Sequence, residues 1–130
     1  MESYLPQKGA EGAKLGSCAT CATSWLIMRN TEIIPLGIRC QFNIGWGAFI
    51  WDRSGMGAKG FHRFAGVIES DYRGLWGVVL HNSTSRMVLI EPKKAVAQVV
   101  FQPVWMGDPV IGIIGRDTDR GEKGFGSTDD

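Results

Sequence analysis

The chain has 130 residues, 44% hydrophobic and 21% charged, with a formal net charge of +1. That suits one domain with a real core and excludes nucleic-acid binding driven by overall charge. No run of 18 apolar residues occurs, and the first 20 lack the basic-then-apolar order of a leader, so an intracellular protein without membrane contact is expected.

Eighteen glycines and five prolines are too many for a helical bundle and suit short strands joined by tight turns. Residues 1–24 read as irregular chain around one short strand. Cys18 and Cys21 form a CxxC pair, with Cys40, His62 and His81 further on. The second close pair of a closed zinc site is missing, so inert buried thiols are the better reading and no metal ligands are assigned. Strands are predicted at 25–28 and 32–34, with a turn at Arg29-Asn30. Ile38, Cys40, Phe42 and Ile44 alternate with Arg39, Gln41 and Asn43, the period of a strand with one buried face. Gly45 and Gly47 lead into a strand at 48–51, and one helical turn is expected near 56–60.

Residues 75–81 and 87–90 are apolar on both faces, which calls for cover from a second sheet or another subunit. The apolar run 95–101 contains Gln98, and an amide there needs a partner or a ligand. A last strand is predicted at 110–114. Beyond Arg116 the chain is charged, glycine-rich and aperiodic. The expected organisation is a β-domain over 1–115 and a flexible tail over 116–130. The class is all-β, a sandwich or barrel-like jelly roll. Five tryptophans favour an oligomer over a lone sandwich.

Four places carry candidate chemistry. Arg53-Ser54-Gly55 follows a strand, where backbone N–H groups and a hydroxyl can hold an anion; a plain surface turn is the commoner meaning of those letters. Glu69, Asp71 and Asp52 are the candidates for activating a water, against solvated turn carboxylates. Glu69 and Asp71, two apart beside Gly66 and Gly74, should share a face of a hairpin. Tyr72 can lie flat against a sugar. In RGEKGFGST at 120–128, Phe125 stands alone between two glycines. A lone aromatic ring in a tail suits a base-stacking lid, with Arg120 pairing a phosphate and Ser127-Thr128 adding donors.

In their order and spacing, the segments EIIPLGI (32–38), WDRSGMGAKG (51–60), AGVIESDYRG (65–74), KKAVAQVVFQPV (93–104) and RGEKGFGST resemble the trimeric dUTP diphosphatase (dUTPase) family over nearly the whole chain. That resemblance implies a jelly-roll, β-clip subunit in a homotrimer, with three sites between subunits. It implies hydrolysis of dUTP to dUMP and pyrophosphate by water attack on the α-phosphorus, with Mg²⁺ carried by the triphosphate. Glu69, Gln98 and Arg53 then stand at the catalytic positions. Ser54 and Gly55 face phosphate, and the 64–75 hairpin, with Phe64 and Gly66, reads uracil through its backbone. Tyr72 lies under the deoxyribose, Arg120 takes the γ-phosphate, and Phe125 stacks on uracil as Gly126, Ser127 and Thr128 close around it.

Several positions depart from the family pattern. Glu69 replaces an aspartate and is one methylene longer. Gly16 stands where the first motif has an aspartate. Phe61-His62-Arg63-Phe64-Ala65 replaces smaller residues and narrows the base pocket, and Lys93-Lys94 replaces a glycine and an acid. These departures keep two alternatives open: a weak or inactive homologue serving as a nucleotide-binding, regulatory or interaction module, and a hydrolase of altered base choice.

Overall fold

A computed structural model describes residues 2–4, 14–19, 22–115, 117–119 and 121, the first two stretches as backbone only. Eleven strands are present among them: β1 (Glu2–Tyr4), β2 (Lys14–Ala19), β3 (Ser24–Leu26), β4 (Thr31–Pro35), β5 (Ile38–Cys40), β6 (Trp46–Asp52), β7 (Phe61–Phe64), β8 (Val67–Glu69), β9 (Gly77–Asn82), β10 (Val88–Ile90) and β11 (Ala95–Pro103). A single helical turn, α1 (Ser54–Gly57), separates β6 from β7. The all-β expectation holds, as a jelly-roll-like packing of small sheets. No helix among the described residues is long and apolar enough to cross a membrane.

A four-stranded sheet has the order β2-β11-β6-β8, and a three-stranded sheet the order β4-β9-β7. β3 pairs with β10 antiparallel, and β1 with β5 parallel. The core joins the inner faces of these sheets: Ala48 and Ile50 of β6, Val96, Ala97 and Val99 of β11, Ile34 of β4, Val78 and Leu80 of β9, and Leu26 and Ile90 of the β3–β10 pair. Each fully buried aliphatic side chain contributes about 1.5–3 kcal/mol. Asn82 is wholly buried yet satisfied. Its Nδ2 donates to the carbonyls of Leu26 (3.2 Å) and Arg86 (2.7 Å), and its Oδ1 accepts from Thr84 N (3.0 Å) and Thr84 Oγ1 (2.7 Å).

The departures from expectation have local causes. The alternating burial after residue 38 stops at Phe42. Ile44 is exposed, because the chain turns at Gly45 (φ +86) before β6 begins. β9 has one buried face, with Val78, Leu80 and Asn82 inward and Gly77, Val79 and His81 half-buried, so it is not apolar-covered on both sides. No strand forms at 110–114. Val110, Ile111, Ile113 and Ile114 are exposed, and among the described residues no strand pairs with them. The N-terminal region holds two strands, not one. The turn at Arg29 occurs as expected, with Asn30 N donating to Ile27 O (3.2 Å) and Arg29 at φ +55. Cys40 is buried, and that burial pushes its thiol above the ordinary range.

Candidate active site

β6 delivers the phosphate-directed candidates. It ends at Asp52, and Arg53 continues extended (φ −79, ψ 138) before the chain folds into α1. The Arg53 carbonyl accepts from Met56 N and Gly57 N, both at 2.9 Å. Met56 is buried and anchors the turn, while Ser54 and Gly55 stay exposed. A Cβ at Gly55 would touch nothing within 4 Å, so no packing among the described residues calls for glycine there. Arg53 Nη1 reaches the Ala95 carbonyl at the start of β11 (3.4 Å).

The amide in the apolar run has a partner. Gln98 lies opposite Trp51 in the β6–β11 ladder, and its Nε2 donates to the Asp52 carbonyl at 2.9 Å. Gln98, Arg53, Ser54 and Gly55 therefore gather at one end of β6. Backbone pairing also places β2 beside this end, with Ser17 opposite Gln98 and Gly16 opposite Val99.

Asp52 is not a free base. Its Oδ1 accepts from Arg63 N (2.8 Å), and its Oδ2 lies 2.6 Å from His62 Nδ1. Residue spacing gave no sign of this pair, because the partners stand ten apart on strands of different sheets.

The acidic turn sits elsewhere. After β7 the chain passes through Ala65 (φ +57) and Gly66 (φ +117) and changes sheets. Gly66 O accepts from Ile50 N at 2.7 Å, and a Cβ on Gly66 would lie 3.0 Å from Ile50 O, so only glycine fits this corner. Arg63 braces it, with Nη1 donating to Ala65 O (2.9 Å) and the guanidinium 4.7 Å over the Trp51 ring. β8 then pairs with β6, setting Glu69 opposite Gly47. The 64–75 segment is thus not the expected ladder-paired hairpin: β7 pairs with β9, and β8 with β6.

Glu69 ends its strand, exposed, and Tyr72 N donates back to Glu69 O (3.2 Å). Asp71 lies in that turn, off the strand, so the two carboxylates do not share a strand face. Tyr72 folds over its own turn. Its hydroxyl donates to Leu75 O (3.1 Å), and a Cβ at Gly74 would come within 2.2 Å of the hydroxyl oxygen. Gly74 is the space in which the ring lies. Phe64 projects from β7 and stacks on His81 (5.1 Å) with its edge to His62 (5.5 Å). Arg120, Phe125, Gly126, Ser127 and Thr128 lie outside the described residues.

The candidate residues therefore fall into two separate groups within one protomer. Glu69 faces Gly47, and Gln98 faces Trp51 from the other flank of β6. Four residues along the strand and two strand spacings across it put their Cα atoms about 17 Å apart. A general base must come within about 3 Å of its water. Glu69 and Gln98 of the same chain are too far apart to serve one reacting phosphorus.

The fold is that of an all-β, jelly-roll-like protein whose candidate residues lie towards both ends of one strand. Comparison with known proteins gives the particular class. The dUTPase family model matches residues 10–129, and the chain belongs to the dUTPase family.

Among its relatives are the deoxyuridine 5'-triphosphate nucleotidohydrolases of Desulfitobacterium hafniense (strain DSM 10664 / DCB-2) and Paramecium bursaria Chlorella virus 1. The bacterial protein is 37% identical over 130 residues, covering 95% of this chain and 86% of its own. The viral one is 32% identical over 124 residues, covering 95% and 88%. The fold is similar to a mutant dUTPase of Staphylococcus bacteriophage 80alpha bound to dUpNHpp, with TM-score 0.80, 19% identity, and coverage of 97% of this chain and 92% of that one. It is also similar to a mutant dUTPase of S. aureus phage phi11, described with a structural Mg(II) ion, with TM-score 0.70, 16% identity, and coverage of 78% and 84%.

Proposed function

We propose that the chain is a dUTP diphosphatase that acts as a homotrimer and hydrolyses dUTP to dUMP and pyrophosphate. The observation that carries this reading is the separation of Glu69 from Ser54 and Gln98 to opposite ends of β6. Cyclic assembly brings the acidic turn of one protomer against the phosphate-directed end of the next. The exposed apolar tract of Trp105, Met106, Val110, Ile111, Ile113 and Ile114 supports assembly, because its side chains stay largely exposed among the described residues. The substrate assignment is supported by the activity named for the relatives.

In this mechanism Glu69 takes a proton from a water held against the α-phosphorus. Gln98 orients that water and the α-phosphate oxygens. The water oxygen bonds to phosphorus as the bridge to the β-phosphate breaks, and Ser54 and Arg53 receive the charge on the departing pyrophosphate. The 65–74 turn supplies backbone groups to uracil, and Tyr72 supports the sugar. The tail at 116–130, with Arg120, Phe125, Gly126, Ser127 and Thr128, covers the nucleotide. Among the described residues no three His, Cys, Asp or Glu side chains converge on a point. A Mg²⁺ carried by the triphosphate would neutralise phosphate charge there.

The test is pyrophosphate release from dUTP with Mg²⁺, beside dCTP, dTTP and UTP. Selective turnover of dUTP is expected. Turnover of none, with dUTP still bound, would favour the second reading: a binding or regulatory module, motivated by Glu69 in place of aspartate. Because the extra methylene displaces the carboxylate by about 1 Å, Glu69→Asp should raise kcat; an equal or lower kcat argues against that defect.

A further inference from the structure

We infer that His62, acting through Asp52, is a positioning residue for the phosphate-directed half-site. This deepens the hydrolase reading above and rests on it. Asp52 immediately precedes Arg53-Ser54, and all three of its oxygens are engaged. The carbonyl receives Gln98 Nε2 (2.9 Å), Oδ1 receives Arg63 N (2.8 Å), and Oδ2 meets His62 Nδ1 at 2.6 Å. One residue thus ties β6, β7 and the Gln98 side chain of β11 at the point where the chain turns toward Ser54.

An ionised carboxylate can only accept, so His62 Nδ1 carries the hydrogen and the tautomer is set. The bond is short, as a charge-assisted hydrogen bond is. His62 is itself braced. It stands opposite His81 in the β7–β9 ladder, Phe64 packs on both rings, and His81 Nδ1 lies 3.0 Å from Thr31 Oγ1 of β4. The line runs from β4 across the three-stranded sheet to the last residue of β6.

What His62 does follows from what Asp52 holds. Without His62, the Asp52 side chain keeps only the Arg63 amide and can swing. The peptide that carries the Gln98 acceptor then loosens at the base of Arg53-Ser54. Gln98 and Ser54 act on the reacting phosphate rather than on the base or sugar, so the loss falls on kcat more than on KM.

The experiment uses the full-length protein with His62→Ala and His62→Asn, since an asparagine amide nitrogen stands close to where histidine Nδ1 does. His62→Ala should lower kcat for dUTP by about tenfold with KM within about twofold, and His62→Asn should recover most of the loss. In ¹⁵N spectra, wild-type His62 should show a protonated Nδ1. The Gln98 side-chain amide signals should shift or broaden in His62→Ala and return in His62→Asn. Wild-type kcat in His62→Ala together with unmoved Gln98 signals would overturn the inference. So would a wild-type His62 protonated on Nε2 alone, a result that needs no variant to fold. If the wild type turns over no nucleotide, the hydrolase reading fails by itself, and the Gln98 signals still decide whether His62 positions that side chain.

Discussion

If the half-sites at the two ends of β6 belong to different active sites, two inactive variants should rescue each other. Ser54→Ala damages the phosphate-directed end and leaves Glu69 intact; Glu69→Gln does the reverse. Each homotrimer should fall about 10²-fold or more, the usual scale for losing a general base or a charge-stabilising group. Each site takes its Ser54 end from one protomer and its Glu69 from another. In a trimer that holds both chains, whichever is in the majority, one of the three junctions joins an intact Ser54 to an intact Glu69, so purified mixed trimers should recover to about one third of wild type. The spacing that makes this necessary is the offset of Gln98 opposite Trp51 from Glu69 opposite Gly47. The assay is pyrophosphate release after co-refolding of differently tagged variants, with purification of trimers bearing both tags. Activity no higher than the sum of the two parents would refute the composite site, because every site would then depend on residues of one chain.

Three further outcomes test the fold. Asn82→Leu keeps the volume but removes the Nδ2 bonds to the Leu26 and Arg86 carbonyls and the Oδ1 bonds from Thr84, leaving the Thr84–Arg86 contacts in place; it should cost about 2–4 kcal/mol in urea unfolding, and a loss under about 0.5 kcal/mol would show the network to be dispensable. Lys93 holds φ +66 in the turn closed by Lys94 N to Glu91 O, a position that prefers glycine, so Lys93→Gly should stabilise by about 0.5–1 kcal/mol; destabilisation would mean the lysine side chain earns its place. Burial raises the Cys40 thiol, so the unfolded chain releases that proton at lower pH than the folded one. The contribution is present below the ordinary thiol range and is lost as pH climbs through it toward the folded value. Between about pH 8 and 10 wild type should therefore lose more stability than Cys40→Ala; parallel curves would contradict this.

What could be read in the sequence was local. Alternation marked Cys40 and Phe42 as inward, the polar break in 95–101 marked Gln98 as needing a partner, and Gly45 marked the lead into the next strand. The failures came where a partner strand, not the segment itself, decides. Residues 110–114 have the composition of a strand, yet no strand among the described residues pairs with them. The 64–75 segment has the punctuation of a hairpin, yet Gly66 docks on Ile50 and sends β8 to β6 instead. The Asp52–His62 pair left no trace in residue spacing, because only the return of the chain through α1 brings β7 to the end of β6. The two ends of the candidate site were nameable from their residue types, whereas their separation required the ladder register.

That register also has a consequence for divergence. β6 holds the Ser54 turn at one end and pairs with the Glu69 strand at the other, so in the proposed trimer its length would set the stride from one reaction centre to the next. A residue inserted in its middle would flip the face of everything beyond it and move every centre in the ring at once. Change that alters one chemical step while sparing the rest is confined to the turns at its tips, where Glu69 and the Asp52–His62 pair of this chain are found.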